Sequence, residues 1–381
     1  MYPETTATNQ YTANHPHLYI AFELGNSQWK LGFTIGFGQR PRLRTISARD
    51  LIALQQEIHL AKHRFDLPED TPVVSCYEAG RDGFWLHRYL LSVGVANLMV
   101  DSASIEVNRR AKRAKTDRLD LGKLLTMLMR YHAGEKKVWS VVHVPTPTVE
   151  DNRHLHRELA DLKVERTQHI NRTKGLLANQ GVCLIVQDDF LERLEHVHIW
   201  NGDPLPPGLR ARLQREHQRL QLIQEQIKAL ETERLEAIRH STQPEVEQVR
   251  QLLCLRGIGV NSAWLYVMEF FAWRAFRNRR EVGALAGLTP MPHQSGDEAR
   301  ELGISKVGNR HIRAMAIEIA WGWLRYQPDS ELSRWYQRRF GKGSKRLHKI
   351  GIVALARKLL IDIWRYLEKG TIPPGAVLKT A

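Results

Sequence analysis

The spacing of apolar residues changes twice along the chain, and these changes constrain the fold more than any other feature. From residue 18 to about 144, short apolar runs alternate with turns and short amphipathic stretches. From about 150 to 240, charged residues surround apolar residues at helical spacing, and from 246 onward apolar helical stretches are rich in arginine and aromatic residues. We therefore predict a disordered lead-in at 1–17, domains at 18–145, 146–245 and 246–370, and a tail at 371–381.

The first domain is predicted to be mixed α/β. Three β-rich runs that break at turns are followed by helices and strands in alternation, an order that fits an RNase H-like sheet. The predicted strands are Leu18–Leu24, Trp29–Ile35, Arg42–Ile46, Pro72–Tyr77 and Val95–Val100. The predicted helices are Asp50–Phe65, Phe84–Val93 and Asp117–His132.

The rest of the chain is predicted to be helical. Glu150–Gln180 and Leu209–His240 have near-heptad patterns, which favour a helical hairpin or a coiled-coil arm; a solvated spacer is the simpler interpretation. The last domain is predicted to be all-α, with a loop at Gly287–Gly296 that its prolines and glycines impose. Gly257 and Gly259, between two apolar stretches, suggest a helix-hairpin-helix that binds phosphate through backbone N–H groups, or an ordinary helical turn.

The charge of the chain indicates an anionic partner. Lysine and arginine exceed aspartate and glutamate by 15 in 381 residues, and the hydrophobic content of 43% favours globular folding. No apolar stretch approaches the roughly 20 residues that span a bilayer, so nucleic acid is the expected partner and no membrane is expected. Cys76, Cys183 and Cys254 are far apart, which predicts a reducing, cytoplasmic setting, associated with the nucleoid.

Four acidic residues are candidates for a metal site. Asp117 and Asp120 share one face at the start of a helix, while Glu23 and Glu78 lie at the ends of uncharged β-rich runs. Two such charges 4 Å apart repel by about 4 kcal/mol at an effective dielectric near 20, so a cluster implies Mg²⁺ or Mn²⁺. Taken singly, Asp117 could be a helix N-cap, Asp120 a partner of the helix dipole, and Glu78 a turn residue.

Basic residues surround the acidic pair and recur near the last loop. They are candidates for contacts to phosphate groups, which are independent of base sequence. The candidates are Arg109, Arg110, Lys112, Arg113, Lys115, Arg118, Lys306, Arg310 and Arg313.

The motifs that carry these residues resemble, as an ordered set, the bridge-RNA-guided insertion-sequence transposases (the IS-one-ten family). The resemblance runs from about residue 18 to 366. The matching segments are Ile20–Glu23, Tyr77–Gly80, Lys115–Asp120, Leu255–Gly259, Gly287–Pro290, Gln294–Gly296 and Ile304–Asn309.

The resemblance implies a RuvC-like amino-terminal domain with a DEDD metal site, a coiled-coil middle and a carboxy-terminal serine domain. Carried over, the acids are Glu23, Glu78, Asp117 and Asp120, and the nucleophile is Ser295. The first acid is usually aspartate, and here it is Glu23. Activation of the serine by the metal cluster is expected, which requires the two sites to meet in the active complex.

The implied partners are donor and target duplex DNA, a structured guide RNA, and further copies of the chain in a dimer or tetramer. Two other functions remain open. One is a RuvC-like junction nuclease that uses the acids and water without a covalent step. The other is a non-enzymatic nucleic-acid-binding protein, for which the charge and the helical arm would suffice.

Overall fold

The five strands of the amino-terminal unit form one sheet in the order β3-β2-β1-β4-β5. We describe a computed structural model that covers residues 16–80, 82–105, 117–295 and 298–379, without the side chains at 103, 117–119 and 292–302. The chain divides into two compact units, Met1–Val144 and Pro145–Ala381. The strands are β1 (Leu18–Leu24), β2 (Gln28–Thr34), β3 (Arg42–Ser47), β4 (Val73–Glu78) and β5 (Val95–Val100).

The direction of the strands agrees with the predicted class. Strand β2 is antiparallel to both β1 and β3, whereas β4 is parallel to both β1 and β5. The mixed α/β class and all five predicted strands are confirmed, with bounds that agree to within one residue. The more specific RuvC-like assignment stays a prediction.

Helices cover both faces of this sheet. Helices α1 (Leu51–Arg64) and α2 (Trp85–Ser92) pack on the face that carries Phe22 and Trp29. Helix α3 (Asp117–His132) packs through its leucines on the other face, against Ala21 and Cys76. Strand residues alternate between the two cores because successive side chains of a β-strand point to opposite faces.

The middle of the chain contains two long helices that pack side by side. After α4 (Pro147–Asp151), helix α5 (His154–Ala178) contacts α7 (Pro207–His240), with α6 (Phe190–Glu195) between them in sequence. Lys163 Nζ lies 2.8 Å from Glu231 Oε1, and His169 Nδ1 lies 2.6 Å from Glu216 Oε2, so the helices are antiparallel. A helical hairpin is therefore present, while the coiled-coil assignment stays a prediction.

The remaining helices surround a large apolar core that includes Phe270 and Trp323. They are α8 (Pro244–Leu253), α9 (Val260–Tyr266), α10 (Arg279–Leu285), α11 (Arg310–Tyr326), α12 (Glu331–Phe340) and α13 (Lys345–Lys369), with a π-helical turn at Val267–Phe271. In the described parts of the chain, no helix is both long and apolar enough to cross a bilayer.

The all-α prediction for this region is wrong, because the segment predicted as a loop contributes a strand. Strand β6 (Pro290–Ser295) pairs with antiparallel β7 (Glu298–Ile304), with an irregular register between Pro290 and Pro292. Proline is tolerated since both strands of a two-stranded sheet are edges. The next helix starts at Arg310, because Gly308 is left-handed at φ +104° and Asn309 accepts hydrogen bonds from the N–H groups of His311 and Ile312.

Candidate active site

Two of the candidate acids lie at the carboxyl ends of adjacent parallel strands. The register pairs Phe22 of β1 with Tyr77 of β4, so one further step sets Glu23 beside Glu78. Neighbouring strands are about 4.8 Å apart, and these two acids follow Ala21 and Cys76 on the face that packs against α3. The sheet therefore brings Glu23, which is half-buried, and Glu78, which is exposed, to one end of one face.

Helix α3 brings a third acid to the same end. The thiol of Cys76 lies 3.9 Å from the carbonyl oxygen of Leu124, and the Tyr19 hydroxyl lies 2.9 Å from His132 Nδ1 near the end of the helix. The helix thus runs opposite to β1 and β4. Asp120 precedes Leu124 by about 6 Å of helix, and Glu78 follows Cys76 by about 6.6 Å of strand. Both carboxylates consequently lie at the same level.

The fourth candidate acid, Asp117, is the first residue of α3, one turn before Asp120. Its side chain lies outside the described residues. Among the side chains that the structure does describe, no group of three or more histidine, cysteine, aspartate or glutamate residues is close enough to hold a metal ion. The backbone therefore places three acids at one end of the sheet, and a fourth at the start of the same helix.

The donor chemistry at this end of the sheet suits a hard divalent cation. Carboxylate oxygens are the ligands that Mg²⁺ and Mn²⁺ prefer. Lys30 lies directly across from Glu23 in the antiparallel pair, on the same face, so one positive charge already faces the carboxylates. If Glu23, Glu78, Asp117 and Asp120 are all ionised, Lys30 offsets one of their four negative charges.

The predicted nucleophile is in the other compact unit. Ser295 is the last residue of β6, and its Cα partner is Glu298 of β7. Its side chain lies outside the described residues. The prediction of a loop around Ser295 is corrected to the end of a strand.

The base of this hairpin is held by close backbone contacts. The Ser305 N–H donates to Thr289 O at 2.9 Å, and the Asn309 N–H donates to Leu285 O at 3.0 Å. A Cβ at Gly287 would overlap the carbonyl oxygen of Val307, and one at Gly308 would overlap that of Leu285. Both glycines have positive φ, at +68° and +104°. The local backbone conformation therefore explains why glycine occurs at these two positions of the sequence motifs.

The predicted basic residues have different surroundings. Arg310 and Lys306 are exposed, whereas Arg313 is half-buried and donates from Nη1 to Lys306 O at 3.0 Å. Arg313 thus supports the loop before α11. Arg118 is in the first turn of α3, and its side chain lies outside the described residues, as do Arg109, Arg110, Lys112, Arg113 and Lys115 altogether.

The two glycines of the predicted helix-hairpin-helix lie between α8 and α9. Gly257 has φ +95° and packs against Tyr326, and Gly259 is the N-cap of α9. The Gly259 N–H donates to Ser262 Oγ at 3.2 Å, so that group is already engaged within the protein. The ordinary helical turn accounts for both glycines, and phosphate binding by them stays a prediction.

A buried ionic cluster was not predicted. Glu269, in the π-helical turn, accepts a hydrogen bond from Arg157 Nε at 2.5 Å, lies 2.9 Å from His156 Nε2, and is 3.2 Å from Arg153 Nη2. Burial would raise the pKa of Glu269, but the hydrogen bonds from His156 and Arg157 and the charge of Arg153 hold it well below its ordinary value. More than a hundred residues separate Glu269 from these partners in sequence, so no local pattern could have indicated the cluster.

Comparisons with known proteins find transposases among the relatives of this chain. A family model described as "Transposase IS116/IS110/IS902 family" matches residues 249–336. "Putative transposase y4rJ" of Sinorhizobium fredii is 39% identical over 376 residues, which cover 95% of each chain. "Transposase for insertion sequence element IS1328" of Yersinia enterocolitica is 29% identical over 237 residues, 61% of this chain and 68% of the relative. "Probable family 20 transposase" of Pseudomonas aeruginosa is 28% identical over 238 residues, again 61% and 68%.

Proposed function

This chain belongs to the IS116/IS110/IS902 family of transposases, and from that premise we propose that it cuts and rejoins DNA through a covalent bond between Ser295 and a DNA phosphate. In this proposal Glu23, Glu78, Asp117 and Asp120 hold a divalent metal ion. A junction nuclease that uses water as the nucleophile is the alternative that the same acids allow.

One observation supports the proposal above all. The register of β1 and β4 and the direction of α3 bring Glu23, Glu78 and Asp120 to one end of one sheet face. Because these three acids lie on three separate elements, no single helix cap or turn explains why they lie at the same end of the sheet. A metal-dependent phosphoryl-transfer site needs acids from separate elements near one place, so this backbone placement supports the proposal, although the described side chains are not close enough together to hold an ion.

The proposed reaction has two phosphoryl transfers that balance. Ser295 Oγ attacks a DNA phosphorus, an Oγ–P bond forms, and the bond from phosphorus to one bridging oxygen breaks. The proton lost from the serine hydroxyl ends, through solvent, on the released DNA oxygen. In the second transfer, a DNA hydroxyl attacks the phosphoserine and frees Ser295, so no external energy source is required.

The protein residues have separate tasks in this scheme. A bound Mg²⁺ or Mn²⁺ would supply charge stabilisation for the phosphate. The carboxylates would hold and orient that ion, with Lys30 opposite Glu23 limiting their mutual repulsion. The exposed Lys306 and Arg310 would contact the DNA backbone next to the hairpin that carries Ser295.

The serine step is tested by Ser295→Ala with Ser305→Ala as a matched control in the same region. We expect Ser295→Ala to abolish both strand cleavage and the protein–DNA adduct seen on a denaturing gel, while Ser305→Ala keeps both. If Ser295→Ala still cleaves DNA, the nuclease alternative is correct. If Asp120→Ala and Ser295→Ala leave every activity of the protein intact, the non-enzymatic alternative is correct.

Guide RNA and oligomerisation complete the proposal. We propose that a structured RNA selects donor and target DNA, supported by family membership and by the charge of +15. The RNA is tested by purifying the chain from cells that also carry the DNA flanking its gene. A discrete, nuclease-protected RNA transcribed from that DNA is expected, and co-purification of only bulk cellular RNA would contradict it. Light scattering of the DNA complex tests for the dimer or tetramer.

A further inference from the structure

A cationic recess lies beside the base of the β6–β7 hairpin. It has a volume of about 1060 Å³ and is lined by α10, α12, α13 and both hairpin strands. Among the described side chains that line it, eight are arginine or lysine and two, Glu331 and Asp362, are acidic. Asp362 pairs with Arg365 at 3.1 Å and so offsets one of these cations, which leaves the described lining strongly positive.

The cations come mainly from α13. Lys349, Arg357 and Arg365 of that helix all line the recess, although a spacing of eight residues turns each by about 80° relative to the one before. Arg338 of α12 lines the same recess. Several positive charges spread over one recess can bind successive phosphates of a nucleic-acid backbone.

The recess also offers apolar and aromatic surface. Trp335 is half-buried in its wall, with Lys358 Nζ 4.8 Å from the ring centroid, and Val353 lies nearby in the lining. Aromatic rings beside cations are typical of sites for single-stranded nucleic acid, where bases stack while phosphates bind the basic groups. A binding site for free inorganic anions would have no use for this surface.

The recess lies near the hairpin that carries Ser295, and this position indicates which DNA strand it would bind. Pro290 and Ile304 are paired at the base of the hairpin, and both line the recess. Ser295 lies five residues beyond Pro290, about 17 Å along the strand at about 3.3 Å per residue. That span equals roughly five nucleotides of a strand stacked as in duplex DNA, at about 3.4 Å per nucleotide, and fewer nucleotides of an extended single strand. The recess is near the upper size of small-ligand pockets, about 1,000 Å³, so it suits a few nucleotides rather than a duplex.

We propose that this recess binds one strand of DNA, no more than about five nucleotides from the phosphodiester that Ser295 attacks. The inference rests on the proposed function, since it is Ser295 that makes DNA, rather than RNA, the strand expected here. It assigns a task to Arg338, Lys349, Arg357 and Arg365, which the motifs do not select. Pairing of guide RNA with DNA would remain elsewhere on the protein.

The test compares two double variants that remove equal charge from the same two helices. Arg338→Gln with Lys349→Gln alters the recess, whereas Arg339→Gln with Lys345→Gln alters exposed side chains outside it. Both are made in a Ser295→Ala background, so that binding is measured without cleavage. The probe is a fluorescent ten-nucleotide single-stranded DNA, followed by anisotropy across a salt series.

We expect the recess variant to bind the DNA at least about tenfold more weakly. The slope of log affinity against log salt concentration should fall in magnitude by about 1.4, since each phosphate contact on a single strand contributes about 0.7. The control variant should stay within about twofold of its parent. Equal weakening by both variants, or tighter binding of an RNA probe of the same sequence, overturns the inference.

The outcome for the recess is separable from that for the serine mechanism. With Ser295 restored, an adduct that forms at the normal rate in the recess variant, together with unchanged affinity, would remove the recess and leave the proposed function intact. If neither the parent protein nor any variant forms an adduct, yet only the recess variant loses DNA affinity, DNA binding by the recess is supported and the serine mechanism is rejected. Circular dichroism of both variants checks that they are folded.

Discussion

The acids and the serine of the proposed reaction are held in place by different means. Glu23 and Glu78 lie in a five-stranded sheet covered on both faces, where register and strand alternation fix their positions. Ser295 ends one strand of a two-stranded sheet, and contacts of Gly287, Gly308 and Asn309 brace the base of that hairpin. The acids therefore depend on a large cooperative core, whereas the position of the serine depends on a few contacts.

This difference determines how each region should respond to mutation. Changes to an acid at the end of the sheet should alter chemistry and leave folding intact, because Glu78 is exposed and Asp120 is half-buried. Changes around the hairpin should alter the position of the serine through local structure. The predictions below run from the largest expected effect to the smallest.

The largest effect is expected from Asp120→Asn. Removing one carboxylate charge from a metal site should lower the rate of strand cleavage by about 1000-fold, or about 4 kcal/mol of barrier. DNA affinity and the melting temperature should change little. The measurement is single-turnover cleavage with Mg²⁺, and the control is Glu135→Gln, an exposed acid beyond the other end of α3. Normal cleavage by Asp120→Asn would place the metal site elsewhere.

The next effect is on stability, at Glu269. Glu269→Gln removes the carboxylate that Arg153, His156 and Arg157 share, so much of the buried positive charge loses its compensation. We expect a loss of about 3 kcal/mol in the free energy of unfolding. Glu247→Gln, which breaks an exposed pair with Arg250, should cost at most about 0.5 kcal/mol. Similar costs for both would show that the cluster is not a main support of the carboxy-terminal unit.

The same cluster predicts a pH dependence with a definite sign. The folded-state pKa of Glu269 lies well below the value of about 4.3 for an unfolded glutamate. Its contribution is therefore present above about pH 4.3 and is lost as the pH falls through the folded-state pKa. The stability gap between the wild-type protein and Glu269→Gln should be constant from pH 7 to 5 and narrow below about pH 4. A gap that widens on acidification would contradict this assignment.

Gly308→Ala is expected to have a smaller effect on stability, together with an effect on the position of Ser295. The new Cβ would meet the carbonyl oxygen of Leu285 in a left-handed backbone, at a cost of at least about 2 kcal/mol. Gly370→Ala is the matched control, since Gly370 is also left-handed but has open space around it, and should cost about 1 kcal/mol. Adduct formation should fall only in Gly308→Ala. Equal adduct formation in both variants would show that the hairpin base does not position Ser295.

The same contrast explains which parts of the structure can be predicted from the sequence. Strands such as Val95–Val100 are predicted from β-rich runs between turns, and the position of Asp120 on a helix is predicted from helical spacing, because local patterns determine both. The strand that ends at Ser295 was predicted as a loop because its prolines normally end strands, and the exception depends on its having a single partner strand. The cluster around Glu269 needs elements distant in sequence, so no local pattern indicates it. The basic residues between Arg338 and Lys349 form a local pattern, but the recess also needs α10 and the hairpin, which are distant in sequence from them.

The smallest effect is expected from two helix caps that are chemically alike. Asn309 accepts from two N–H groups at the start of α11, and Asn278 does the same at the start of α10. Each Asn→Ala change should lower the free energy of unfolding by about 1 kcal/mol. Only Asn309 follows the Gly308 contact at the hairpin base, so only Asn309→Ala should also slow adduct formation, measured at a temperature where both variants are fully folded. If Asn278→Ala slows the adduct equally, the serine depends on the stability of the whole unit rather than on the few contacts at the base of its hairpin.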